Sequence, residues 1–397
     1  MGPVAASLKV KTLNDSPYNH VINMNLKQTL THNLLNIPGW HTNRKIVVIE
    51  SDDWGAIRMP SKGIYDEFLK RGIRVDKDPY CRYDGLATKE DLANLFDVLD
   101  SVRDKNGNPA VLTADSVVVN PDFERIKSSD FTKYYYEPFT ETLKNSPRHE
   151  GAVDMWKEGM EKGLFHPQFH GREHLNVKKW MKTLQNGHES TRLAFDLGTF
   201  GLTSAVDPTI KNNYMGAFNS GLEDDIQEYR GIIWDGLNIF EELFGYRSES
   251  FIATTYTWNP AIEKHLKEYG VKYLQGLVTQ KIPHGDDSNI EFHKRCFQGN
   301  KSCEGLIYLM RNAFFEPSQY QCKDVVDDCL QRISLAFRWG KAAVICAHRL
   351  NFIGSIDHKN TDKNLPMFKH LLKEIVKRWP DVEFLSSDQL GRIIEES

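Results

Sequence analysis

Two short strings hold the side chains best suited to chemistry. Glu50-Ser51-Asp52-Asp53-Trp54-Gly55 closes an apolar, β-branched run with adjacent carboxylates, and His166-Pro167-Gln168-Phe169-His170-Gly171-Arg172-Glu173-His174 carries imidazoles four residues apart. An Asp and two His that converge make a site for a divalent metal, with positions left open for water and substrate. Two carboxylates this close oppose each other unless a cation balances one of them. A metal on Asp53 relieves that repulsion and leaves Asp52 as a general base. These residue types imply metal-assisted hydrolysis.

The spacing narrows the choice of ligands. Neighbouring strand residues point to opposite faces, so Asp52 and Asp53 share a site only where the strand turns, and Trp54-Gly55 supplies the turn. His166, His170 and His174 stand at i, i+4, i+8, which brings consecutive members together on a helix or tight loop. Gly171 permits a close backbone approach or an unusual turn. We therefore take His170 and His174 as the metal pair and His166, ahead of Pro167, as outer support or a structural residue.

The elements that must position these groups alternate along the chain. Lys45–Glu50 reads as a buried strand, and similar short apolar runs begin near Ala110, Ser250, Val271, Gly305, Ala342 and Val382. Helical periodicity appears after Thr88, over Glu223–Phe244, after Asn259-Pro260 and from Leu365 to Trp379. The pattern predicts an α/β fold, a distorted (β/α)7–8 barrel of parallel strands with helical insertions. The site then lies at the C-terminal ends of the strands. Residues 1–43 read as an N-terminal arm, part of it conceivable as an expression leader with Met24 as a native start. Residues 44–397 read as the catalytic barrel, with 185–245 as a helical capping insertion. His348 directly follows the Ala342–Cys346 strand, and Tyr256 and Trp258 follow Ser250–Ala253, so three strand ends deliver polar or aromatic groups to one rim.

At this point the two strings resemble the first two signatures of the polysaccharide deacetylase family, carbohydrate esterase family 4. There a strand ends in T-F-D-D-G and a later segment reads H-[GST]-x-x-H. The resemblance implies Asp52 as base, with Asp53, His170 and His174 as ligands to a metal, usually zinc, with Co2+, Mn2+ or Ni2+ as alternatives. Val344-Ile345-Cys346-Ala347-His348 is similar to the family's late strand, whose His is the general acid. The resemblance runs from about Lys45 to Ile394. It implies a barrel hydrolase that removes an acyl group, acetyl foremost, from an N-acylated sugar or related carbohydrate. Trp54, Tyr256 and Trp258 are then candidates to stack on sugar faces. One departure stands out: the family's middle-strand R-x-P-Y has neither its Arg nor its Pro in Ser250–Trp258. Arg58 or Arg172 is a candidate to replace that Arg. The chain reads as a divergent branch.

Other readings compete. His170-Gly171-Arg172-Glu173-His174 also fits the inverted zinc-peptidase pattern, with Glu173 as base, although that pattern needs a regular helix. A catalytically decayed carbohydrate-binding barrel is a second alternative, and a glycosidase or a deformylase of a nucleotide-linked sugar is a third. Composition limits the rest. With 397 residues, 40% hydrophobic and 26% charged, the chain has the material of an ordinary globular protein. A net charge of −4 with no Lys/Arg run argues against nucleic acid. No apolar stretch reaches the roughly 20 residues of a membrane span. The six cysteines show no C-x-x-C spacing, and Met1–Ala6 shows no secretory signal, so reduced thiols and a cytoplasmic location are expected.

Overall fold

The computed structural model describes residues 26–210, 214–285, 290–320 and 324–397. Met24 and Cys322 lie outside the described residues. Eight parallel strands form a nearly closed barrel with helices between them: β1 (Lys45–Trp54), β2 (Leu112–Ser116), β3 (Phe165–Phe169), β4 (Ser250–Phe251), β5 (Tyr273–Leu277), β6 (Ile307–Arg311), β7 (Ala343–His348) and β8 (Val382–Leu385). The ring runs β6-β5-β4-β3-β2-β1-β7. Just past β6, Ala313 and Phe314 pair with Ile345 and Cys346 of β7 and close the circle. β8 lies against the first residues of β1, Lys45 to Val48.

Side-chain alternation sorts the strands into an outer and an inner face. Val47 and Ile49 of β1, with Ala343 and Ile345 of β7, pack outward under the helices. Ile46 and Val48 point inward, where they meet Tyr273, Leu309 and Val344. The C-terminal helix Ser387–Glu395 plugs this end of the barrel with Leu390 and Ile394. Gly391 is needed there, because a Cβ would sit 2.5 Å from the Tyr273 ring. Above this apolar floor the inward positions turn polar and carry Glu50, Asp52, Gln275, Arg311, Cys346 and His348.

Local signals account for most helix bounds. Thr88 and Asp91 form a reciprocal capping box at the start of Lys89–Leu99. Glu223–Phe244 ends on Gly245 in the left-handed region. The last long helix differs from expectation, since it begins at His358 and runs through Pro366 to Arg378. Its first turns lack an apolar period because their buried side chains are amides. Asn360 and Asn364 bond to each other and to Ser318. The expected arm contains a helix, Leu26–Leu35, tied to the barrel where Trp339 Nε1 donates to Asn33 Oδ1.

Candidate active site

The two carboxylates of β1 reach one cavity through a backbone irregularity. Pairing with β2 shifts register between Ser51 and Trp54, and Asp53 takes φ +74°. Asp52 points inward by simple alternation. Asp53, due to face outward, is turned inward by its left-handed backbone, a conformation that costs of order 1 kcal/mol or more and clusters at functional sites. The same shift sends Trp54 outward. Its ring packs on Trp156 and Phe165, and its indole N–H donates to Ser51. Trp54 is 1% exposed, so it is a core residue and not a sugar platform.

Asp52 is held by Arg311, the last residue of β6. Arg311 Nη2 donates to Asp52 Oδ1 at 2.5 Å and Nη1 to Oδ2 at 2.7 Å. Its Nε reaches Glu50 at 2.5 Å, and Nη2 also reaches Asp115 at 2.9 Å. One fully buried guanidinium thus serves three carboxylates. Burial pushes the Asp52 carboxyl up, but Arg311 outweighs it and holds Asp52 well below the usual carboxylate range. Burial and the neighbouring Asp52 charge push Asp115 well above it. The expectation that Arg58 or Arg172 replaces the missing middle-strand Arg is corrected: Arg172 pairs with Glu173 and Asp235, and Arg58 lies beside Asp84. Reasoning from the sequence missed Arg311 although the signal was present. It ends an apolar strand just as Asp52 does.

Tyr256 and His348 complete this side. The backbone leaves β4 through Thr255 and Tyr256 with φ +58° and +57°, which turns the Tyr256 ring into the barrel. Its hydroxyl donates to Asp52 Oδ2 at 3.1 Å and accepts from Arg311 Nη1 at 2.9 Å. Trp258, two residues on, is 2% exposed and donates its indole N–H to Glu263, so it too belongs to the core. His348 Nε2 lies 3.6 Å from Asp52 Oδ2, and Nδ1 meets Glu316 Oε1 at 2.5 Å. Burial lowers the imidazolium pKa, but Glu316, aided by Asp52 and Asp53, raises it to about 9. Glu316 is itself held by Asn351 Nδ2 at 2.7 Å. No motif announced Glu316, which follows the barrel-closing segment on an irregular stretch.

Across the cavity, Asp53, His170 and His174 place their ligand atoms within 4.8 Å of one another, and all three are buried. His170 follows β3 directly, and Gly171 at φ +116° turns the chain so that His174 returns to the same point. The segment is therefore strand and loop, so of the helix or tight loop expected for the histidines it is the loop that brings His170 and His174 together. His170 Nδ1 lies 2.9 Å from the Ile252 carbonyl, which fixes the ring and presents Nε2. That Nε2 has no hydrogen-bond partner, nor has His174 Nδ1. His174 Nε2 stands 3.1 Å from Asp53 Oδ1 and His170 Nε2 3.6 Å. Burial lowers the His174 pKa, keeping it neutral, and the histidines hold the Asp53 carboxyl well below its usual range against the effect of burial. Two imidazoles, each with an unpartnered buried nitrogen, around an ionised carboxylate fit a divalent cation.

Two expected residues lie elsewhere. His166 sits at the far end of β3, against Asp388 at 3.1 Å and stacked on Tyr246, and supports none of the three. Glu173 accepts from Arg172 Nε at 2.8 Å and Tyr134 at 3.3 Å, and no helix spans residues 170–174. The inverted-peptidase geometry is absent among the described residues. The cavity between the two sides is about 410 Å3. Thr203 and Met215, from the expected capping stretch, line it together with Tyr80 and Gln319.

No protein-family model matches the sequence, and no sequence among curated proteins matches it. Solved structures do. A putative polysaccharide deacetylase from Mycobacterium smegmatis is 13% identical, with 90% of this chain and 93% of that one covered, at a TM-score of 0.41. A probable polysaccharide deacetylase from Pseudomonas aeruginosa is 10% identical, with 88% and 91% covered, at 0.42. A putative glycoside hydrolase/deacetylase from Parabacteroides distasonis is 10% identical, with 90% and 73% covered, at 0.47. Over most of its length the chain is similar to these structures, at low identity.

Proposed function

We propose that this chain is a metal-dependent hydrolase that removes an acyl group, acetyl foremost, from an N-acylated carbohydrate. One observation carries the reading: a Asp53–His170–His174 cluster with unpartnered nitrogens shares a cavity with an ionised Asp52 and a protonated His348. A divalent ion held by Asp53, His170 and His174, zinc foremost, supplies Lewis-acid chemistry, polarising a carbonyl and acidifying water. Asp52, kept ionised and aligned by Arg311, takes the proton from the attacking water. His348 keeps its proton at neutral pH because Glu316 faces Nδ1, and Nε2 is free to pass a proton to the leaving amine. Tyr256 orients Asp52 through its hydroxyl. The buried surroundings keep competing water away from these groups.

The test is metal analysis together with release of free acid from N-acetylated sugars. Asp52→Asn should keep stoichiometric metal and lose roughly 10²–10⁴-fold in turnover. A chain that binds no divalent ion refutes the reading. Loss of metal on Asp52→Asn would reverse the roles of the two aspartates.

A further inference from the structure

Arg58 lines the same cavity, and two of its guanidinium nitrogens make no hydrogen bond. It follows β1 on a loop fixed by its neighbours: the Ile57 N–H donates to Asn120, and the Arg58 carbonyl accepts from Thr199. The side chain is 8% exposed and lines the cavity beside Asp53. Nε and Nη1 are buried without a hydrogen-bond partner. The nearest carboxylate oxygen, Asp84 Oδ2, is 3.8 Å from Nε, beyond hydrogen-bond distance. Asp84 is engaged through its other oxygen by Arg349 Nε at 2.9 Å, and Oδ2 makes no hydrogen bond to Arg58 or to any other group. The Arg58 guanidinium instead lies 4.9 Å from the centre of the Tyr80 ring, whose edge meets His348. A buried guanidinium with unmade hydrogen bonds is costly, and a cavity-side anion removes that cost.

Deepening the hydrolase reading, on which this rests, we infer that Arg58 recognises a carboxylate on the substrate, so that the chain acts on an N-acylated sugar acid in preference to a neutral sugar. A singly charged group fits better than a phosphate dianion. Asp53 and Asp78 line the same cavity as the one guanidinium, and they oppose a second negative charge. Tyr80 carries the recognition toward the acid: its ring lies against both Arg58 and His348, so an anion on Arg58 orients the amide beside the reacting groups.

The test uses reaction products, which bind without turning over. Calorimetric titration of the metal-loaded wild-type chain compares glucosaminuronic acid, glucosamine and glucosamine 6-phosphate, which differ at C6 alone. The acid should bind about tenfold more tightly than glucosamine, the gain expected of a charge-assisted hydrogen bond. Arg58→Gln should reduce the acid to the affinity of the neutral sugar, and Arg58→Lys should keep part of the preference. Equal binding of acid and neutral sugar by the wild type overturns the inference, as does tighter binding of the phosphate. A fall in the thermal midpoint of Arg58→Gln with the preference intact assigns Arg58 to Asp84 and also overturns it. The two readings fail separately. An Arg58-dependent preference without hydrolysis of the N-acetylated acid sinks the hydrolase and leaves the anion site. Equal hydrolysis of the acidic and neutral N-acetyl sugars does the reverse.

Discussion

The two sides of the cavity solve the same electrostatic problem in opposite ways. Around Arg311 the chain balances itself: Glu50, Asp52 and Asp115 share one guanidinium, Tyr256 and Ser387 add hydrogen bonds, and few donor groups are left over. Around Asp53 it does not. Two imidazoles face the carboxylate, each with one buried nitrogen left without a hydrogen bond, and no Lys or Arg pairs with Asp53 among the described residues. The first side carries its own counter-charge and should matter for folding. The second supplies no such counter-charge and, on the proposed function, should matter for binding.

The largest effect should come from Arg311. Arg311→Met leaves three carboxylates facing one another in the barrel, and breaking a buried ion pair costs about 3–5 kcal/mol. Urea denaturation should show that loss, with activity gone at every pH where Asp52 is charged. A fold of unchanged stability would mean that the carboxylates redistribute their protons, and the contrast between the sides would collapse. Asp53→Asn or His170→Ala should behave differently. Metal content and turnover should vanish, while the metal-free chain should lose far less stability than Arg311→Met does, because no buried guanidinium is stripped from three carboxylates. Calorimetry of the wild type with and without chelator reads the same asymmetry, since a metal that binds only the folded chain raises the midpoint.

Glu316→Gln should give the next effect, on pH dependence. The folded pKa of His348 is raised from its ordinary 6.5 to about 9. The ion pair therefore contributes stability that is fully present below about pH 6.5 and is lost as pH rises through 9. Turnover should fall on the alkaline side with an apparent pKa near 9. The variant should move that limb to lower pH, because burial then acts on His348 with less opposing it. An unmoved limb would assign it to another group.

How much of this was legible in the sequence follows from the kind of signal each part leaves. The strands announced themselves as apolar runs, and Asp52, Asp53 and His348 as polar residues ending such runs. His170 and His174 showed through their spacing, and a strand followed by a Gly171 turn brings i and i+4 together as well as a helix does. Arg311 obeys the same strand-end rule, but it ends β6 and not the middle strand on which the resemblance places the Arg. Glu316 and Arg58 lie on irregular chain whose path depends on distant contacts, Asn351 for one and Thr199 for the other. No local pattern encodes that.

The smallest effect should come from the tryptophans, and it bears on the limits of the strand-end rule. Trp54 follows Asp53 at the end of β1, and Trp258 follows Tyr256 after β4, so proximity in sequence suggested the cavity. The register shift in β1 turns Trp54 outward instead, and Glu263 anchors Trp258 in the second core. Trp54→Phe removes the bond to Ser51 and leaves unfilled volume beside Trp156 and Phe165, a core defect of about 1–2 kcal/mol. Its KM for any substrate should match the wild type once the folded fraction is equal, whereas Tyr256→Phe, which frees one bond on Asp52, should lower kcat with little change in stability. A raised KM in Trp54→Phe would place the indole in the cavity, which would require Asp53 to face outward and the metal cluster to come apart.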